Sequence, residues 1–177
     1  YATLDALNAA WGTALWSQTY TAWEQVWLPR PTVTYQNPSL LLDFYRFTSD
    51  MTIRFGAMQY AIIKRIAPHQ FVTHNAFQDM TNVDLPEFVR EAVDFVSYDS
   101  YPEFRVCDLS LPRHFRDRFE SRLLSRMRGV SQKFMVLEQQ SGPSGQIGGI
   151  LNGYPDYLHP TPKPGQMRLW CWNSIAN

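Results

Sequence analysis

Three short apolar runs alternate along this chain with longer segments of helical periodicity. The runs span residues 70–73, 94–97 and 133–137, and the last contains four apolar residues in succession. Such a run is typical of a strand buried on both faces, as in a parallel sheet covered by helices. Helices between successive strands favour right-handed crossovers and parallel pairing. The pattern therefore predicts an α/β fold.

The strongest periodic segment predicts one long helix. Asn37 is a favourable cap and Pro38 suits the first helical position, while Pro68 marks the end. Apolar residues recur there every three or four positions and predict one buried face. They are Leu40, Phe44, Phe47, Met51, Phe55, Met58, Ile62 and Ile66.

Four shorter helices and two loops complete the predicted order. The helices are expected at residues 3–10, 84–92, 111–128 and from 165 onward. Gly12 and Gly129 are predicted to end the first and the third of them. Residues 16–31 are predicted to form an ordered loop. Residues 141–164 form a long loop, a kind of segment that often binds ligands.

Polar side chains follow all three predicted strands. Asn75 follows the first, Asp99 and Tyr101 follow the second, and Glu138 follows the third. The carboxyl ends of parallel strands meet at one edge of a sheet, where α/β barrels carry their chemistry. A charge directly after buried apolar residues is costly unless it has partners, which makes Glu138 a candidate catalytic residue.

Structural roles remain open for each of these residues. The alternative for Glu138 is a strand-end carboxylate bonded to solvent or to an arginine. Turn capping would explain Asp99, packing would explain Tyr101, and Asn75 is also a common turn residue.

Composition limits the class of protein. The chain has 177 residues, 45% of them apolar, and a formal net charge of zero. This fits one globular domain and gives no overall field that would attract nucleic acid or an anionic membrane. The arginines between residues 113 and 128 stand at helical spacing from acidic residues, which indicates a solvated helix face. No apolar run is long enough to suggest a membrane span.

Cysteines and glycines give no sign of a metal or a nucleotide. Cys107 and Cys171 lack the spacing of a metal-binding pair. A chain with only two cysteines fits a reducing compartment, and we therefore expect a cytoplasmic protein. The glycines between residues 142 and 149 match no phosphate-loop pattern. We therefore expect no cofactor and no metal.

Aromatic residues make up 15% of the chain, and four tryptophans crowd its start. They are Trp11, Trp16, Trp23 and Trp27. Sugar stacking and core packing both explain this crowding. The chain begins with Tyr1 rather than Met and ends within a helical-looking segment, so we expect an internal piece of a longer protein.

Several stretches resemble the catalytic barrel of glycoside hydrolase family 42, the microbial β-galactosidases. They are YATLDALNAAWGTALWSQTY at the start, the Leu-Asp-Phe and Phe-Thr-Ser-Asp that follow Asn37-Pro38, VSYDSYP at 96–102, FMVLEQQ at 134–140 and PGQMRLW at 164–170. The resemblance implies a partial TIM (β/α)8 barrel, about strands five to seven with flanking helices. Residues 1–177 would form the C-terminal half of that barrel, an incomplete domain.

The resemblance also implies roles for individual residues. Glu138 matches the catalytic nucleophile, and Asn75 and Tyr101 match positions beside it that would bind substrate. If the strands that hold Asp99 and Glu138 are adjacent, Asp99 would lie in the same site as a further substrate-binding residue. Gln146 stands where the family usually has a tryptophan that lines the sugar site. The family's acid/base is a glutamate in an Asn-Glu pair, which this chain lacks, so we expect it before Tyr1.

The implied activity is hydrolysis of terminal β-D-galactosides by a retaining, two-carboxylate mechanism, with a galactoside or oligosaccharide as substrate. The segment alone would be inactive, and the resemblance suggests a homotrimeric parent. The alternatives are a related glycosidase, such as an α-L-arabinosidase, and a non-catalytic carbohydrate-binding remnant.

Overall fold

The computed structural model describes residues 1–33, 35–76, 82–102, 113–142 and 162–177. Its α-helices and β-strands are α1 (Leu4–Trp11), α2 (Pro38–Ile66), β1 (Asn75–Ala76), α3 (Leu85–Ala92), β2 (Val96–Ser100), α4 (Arg113–Ser131), β3 (Phe134–Gln139) and α5 (Gln166–Ala176). Two short 3-10 turns, Leu15–Ser17 and Trp23–Gln25, lie in the predicted loop between α1 and α2. From α2 onward, helices and strands alternate as the sequence predicts.

The three strands form one parallel sheet in the order β1-β2-β3. The helix α3 connects β1 to β2, and α4 connects β2 to β3, so each connection crosses over through a helix. The predicted parallel α/β arrangement is confirmed for the described part of the chain.

The strands lie further along the chain than the apolar runs suggest. β1 begins only at Asn75, whereas a strand was expected over residues 70–75. One backbone bond, from the N–H of Asp94 to the carbonyl of Val72, joins the two segments there. Two side-chain bonds accompany it: Asp94 Oδ2 accepts from the backbone N–H of Val72, and Thr73 Oγ1 donates to the carbonyl of Phe95. β2 and β3 continue through polar residues because ladder bonds belong to the backbone and not to apolar side chains.

Local sequence signals set most helix ends. Asn37 Oδ1 accepts from the backbone N–H groups of two residues at the start of α2, and Pro38 occupies the first turn. Gly12 ends α1 in the left-handed conformation, with φ of 63°. The predicted stop at Gly129 is wrong, because α4 continues to Ser131 and the left-handed residue is Gln132, with φ of 53°.

One apolar core joins α2, α3 and α4 to one face of the sheet. Its members are Ile53, Ala76, Leu85, Phe88, Ala92, Val93, Val96, Tyr98, Leu123, Leu124 and Met127. Gly56 allows α2 to approach α3 closely, since a Cβ there would lie 2.9 Å from both Ala92 Cβ and Phe88 Cε2.

The predicted buried face of α2 is wrong. Phe55 is 59% exposed and Ile66 is 74% exposed, whereas the helix buries Ser49 and Ile53. The small residues Ser49 and Gly56 lie on the packed side of α2 and allow α3 to approach closely. The spacing of the apolar residues alone therefore predicts the wrong buried face.

The sheet likewise has one open face. Met135 and Leu137 of β3 are exposed, as is Phe71 before β1. The expected burial of β3 on both faces is therefore wrong for the described part of the chain, and only Phe134 and Val136 pack towards the core.

Candidate active site

Four polar side chains meet at the carboxyl edge of the sheet. Asn75 Nδ2 donates to Asp99 Oδ2 at 3.0 Å and to Glu138 Oε1 at 3.3 Å. The hydroxyl of Tyr101 donates to Glu138 Oε2 at 2.7 Å. Both carboxylate oxygens of Glu138 therefore have a donor, and each donor comes from a different part of the sheet. The structure thus brings together the four described residues that the sequence singles out.

A β-bulge sets the direction of Glu138. Tyr98 pairs with Val136, but the next residue, Asp99, pairs with Glu138, so Leu137 is skipped in the register. Strict alternation would place Glu138 on the same face as Val136, against the helices. The bulge breaks that alternation, and Glu138 is exposed at the edge instead. Nothing in the apolar pattern predicts this bulge.

Asp99 differs from Glu138 in its surroundings. Asp99 is only 8% exposed, because it lies inside β2 and not after it. Burial raises the pKa of its carboxyl group, and the nearby charge of Glu138 raises it further, against the lowering effects of the Asn75 hydrogen bond and of His74. Among the described residues, its Oδ1 has no hydrogen-bond partner. The edge thus holds one exposed and one buried carboxyl group.

Tyr101 remains a hydrogen-bond donor over a wide pH range. Its hydrogen bond to Glu138 raises the pKa of the phenol, and partial burial adds to the effect. Ionisation would remove the proton that it donates and bring two negative charges together. The contact therefore favours a neutral tyrosine beside a carboxylate.

A buried contact behind the edge fixes the end of β2. Ser100 Oγ donates to Glu120 Oε1 of α4 at 2.7 Å, and both residues are 1% exposed. The backbone N–H of Gln140 donates to the carbonyl of Ser100 at 2.8 Å. This contact is not predicted by the apolar pattern of the sequence. The sequence feature that indicates it is the position of Glu120, which stands at helical spacing from Leu123 and Leu124 and therefore shares their buried face.

The remaining predicted site residue, Gln146, lies outside the described residues. The described ranges contain no cluster of three or more His, Cys, Asp or Glu side chains suited to a metal ion. None of the helices in those ranges is long and apolar enough to cross a membrane.

A parallel sheet with helical crossovers and carboxyl groups at the carboxyl ends of its strands is typical of α/β enzymes, barrels among them. The chain belongs to glycoside hydrolase family 42, because residues 1–177 all match the model of that family, described as β-galactosidase.

Curated and solved proteins agree with this membership. A β-galactosidase of Thermus thermophilus is 39% identical over 186 residues, which cover 100% of this chain and 27% of the relative. The solved β-galactosidase of Halorubrum lacusprofundi has a TM-score of 0.78 and 30% identity, with 99% of this chain and 26% of that one covered. The chain spans about a quarter of the length of these relatives.

A third match concerns a family 42 β-galactosidase of G. stearothermophilus, Gan42B. It has a TM-score of 0.76 and 26% identity, with 98% of this chain and 25% of that one covered. The solved form is a catalytic mutant in which a glutamate is replaced by alanine.

Proposed function

We propose that the full-length protein hydrolyses terminal β-D-galactosides with retention at the anomeric carbon, and that Glu138 is the nucleophile. The observation that carries the proposal is the pair of donors on Glu138, Tyr101 at 2.7 Å and Asn75 at 3.3 Å. Two donors on an exposed carboxylate fix its orientation without covering it. The relatives above are described as β-galactosidases, which favours this activity over the two alternatives.

The mechanism uses two carboxyl groups about 5–5.5 Å apart. Glu138 attacks the anomeric carbon as the glycosidic bond breaks, and a galactosyl-enzyme ester forms. The second group protonates the leaving oxygen and then removes a proton from the water that hydrolyses the ester. We infer that this second group is a glutamate that precedes Tyr1, since the chain has no Asn-Glu pair and spans about a quarter of its relatives.

Tyr101 and Asn75 orient the attacking carboxylate. When one oxygen of Glu138 bonds to the anomeric carbon, the other still accepts a hydrogen bond, so the ester is held in one geometry. Both side chains are also near enough to contact the sugar bound at Glu138. This agrees with the substrate-binding role proposed for them from the sequence.

Asp99 acts through Asn75 in this proposal. It is 8% exposed, so it offers a sugar little surface, whereas its hydrogen bond fixes the amide of Asn75 that faces Glu138. Gln146 is retained as a substrate-lining residue on the family resemblance alone.

The remaining features of the parent protein are also proposals. We infer that residues 1–177 form the C-terminal half of the catalytic barrel, with β1, β2 and β3 as strands five, six and seven. The family resemblance supports a homotrimer, and the sparse cysteines support a cytoplasmic location.

The direct test is Glu138→Gln in the full-length protein. We expect hydrolysis of an aryl β-D-galactoside to fall by at least about 1,000-fold, because the amide cannot act as a nucleophile. Glu91→Gln, an exposed glutamate of α3, is the matched control and should retain the parent rate. A Glu138→Gln rate within tenfold of the parent would overturn the nucleophile assignment.

A further inference from the structure

A cavity of about 330 Å³ lies between the loop that follows α1 and the start of α2. Aromatic rings and uncharged amides form much of its lining. Trp27 and Tyr35 contribute rings that are 63% and 80% exposed, and Gln18 and Gln36 contribute amides. None of the lining residues belongs to the candidate active site at the carboxyl edge of the sheet.

The amides of the cavity divide into two groups. Asn37 is committed to the cap of α2 and to the carbonyl of Trp11, and Gln25 is committed to Thr21. Gln18 and Gln36 make no side-chain hydrogen bond in the described part of the chain. The amides of Asn37 and Gln25 are therefore held by the fold. The amides of Gln18 and Gln36 retain their donors and acceptors for a ligand.

Arg30, the one cation among the described lining residues, contacts one of the rings. The guanidinium of Arg30 lies 5.5 Å from the centroid of the Trp27 ring. This cation–π contact helps to fix the indole, whose exposed area is then available for a ligand. No carboxylate is among the described lining residues.

This set of groups selects for a neutral polyhydroxylated ligand. An exposed indole or phenol ring offers a flat apolar surface to the C–H face of a pyranose. Amides donate and accept together, which suits adjacent hydroxyl groups that do the same. A phosphate site is disfavoured because the guanidinium of Arg30 is already engaged with a ring. An organic cation is disfavoured because it would find no carboxylate to pair with among the described lining residues.

We propose that this cavity is a second saccharide-binding site, with Trp27 as the stacking platform and Gln18 and Gln36 as hydrogen-bonding residues. It goes beyond the proposed hydrolysis, because it needs no carboxylate and shares no residue with the candidate active site. Its volume lies at the lower end of the range for small-molecule sites, which suits a mono- or disaccharide.

The test is equilibrium binding to the full-length protein. The probes are isopropyl 1-thio-β-D-galactoside, whose thioether linkage resists hydrolysis, and cellobiose. We expect at least one probe to occupy a class of site that Trp27→Ala weakens tenfold or more. Trp172→Ala changes an equally exposed tryptophan of α5 and should leave that class intact. Hydrolysis of an aryl β-D-galactoside should stay within about twofold of the parent rate in both variants.

Each outcome decides the proposal. The proposal would be overturned if neither probe binds at such a second class of site. It would also be overturned if Trp27→Ala binds the probe at that site as tightly as the parent does. If Trp27→Ala fails to fold, Gln36→Ala decides, with a tenfold weaker affinity expected and an unchanged affinity contradicting the proposal. The aryl galactosidase rate is measured separately, so failure of the second site and failure of the hydrolase proposal give different results.

Discussion

The hydroxyl of Tyr101 and the carboxylate of Glu138 share a 2.7 Å hydrogen bond between neighbouring parallel strands. The bulge in β3 makes this contact possible, because it turns Glu138 towards the exposed edge. The orientation of Glu138 is therefore a property of the sheet register as well as of the two side chains.

Tyr101→Phe removes the donor and keeps the ring. We expect kcat/KM for an aryl β-D-galactoside to fall roughly 10- to 150-fold, since a hydrogen bond to a charged group contributes about 1.5–3 kcal/mol. Tyr45→Phe, a partly exposed tyrosine of α2, is the control and should have no effect. A Tyr101→Phe enzyme within twofold of the parent would show that the contact does not contribute to the reaction.

Asp99 gives the stability of the protein a pH dependence. Burial raises its pKa above the ordinary value of 3.8, so the folded state binds the proton more tightly than the unfolded state. Its stabilising contribution is present below pH 3.8 and is lost as the pH rises through the raised pKa. Relative to Asp99→Asn, the parent should lose thermal stability across that window. A constant difference in Tm between the two proteins over the window would contradict this.

Asp94 should behave in the opposite way. Its carboxylate accepts from Lys64 at 2.7 Å and from Val72 and Tyr60, and the Lys64 contact is the largest cause of its lowered pKa. Its contribution is therefore present above pH 3.8 and is lost as the pH falls through the lowered pKa. Asp94→Asn should lower the Tm at pH 7, and the deficit should shrink in acid. A deficit that grows in acid would contradict the assignment.

Two helical glycines provide a test of the packing between α2 and α3. Gly56→Ala should destabilise the protein by about 1–3 kcal/mol, less the gain in helix propensity, because its Cβ would lie 2.9 Å from Ala92 Cβ. Gly129→Ala in α4 meets no atom within 4 Å and should stabilise it by about 1 kcal/mol. Thermal unfolding of both variants measures this, and equal effects would contradict the packing.

The sequence predicts the parallel α/β order and the helix starts because these depend on local signals. Asn37 with Pro38, and Asp84 before α3, act within one turn of their helices. The grouping of Asn75, Tyr101 and Glu138 follows from the rule that parallel strands end at one edge. These are the parts of the fold and the site that need no knowledge of long-range contacts.

The remaining features depend on how distant elements meet. The buried side of α2 is set by the approach of α3 at Gly56, which apolar spacing does not report. The exposure of Glu138 requires a bulge at Leu137, and the burial of Asp99 requires β2 to continue beyond its apolar residues. Each is a property of pairing or packing, and not of the local sequence.

Covalent trapping of the nucleophile tests the central claim most directly. A 2-deoxy-2-fluoro-β-D-galactoside with an activated leaving group forms an ester with the nucleophile of a retaining β-galactosidase, and the fluorine slows its hydrolysis. Mass spectrometry of the inactivated full-length protein after trypsin digestion locates the sugar. We predict that the label lies on Glu138, in the peptide that begins at Phe134. A label on another residue, or turnover of substrate without any trapped ester, would contradict the account.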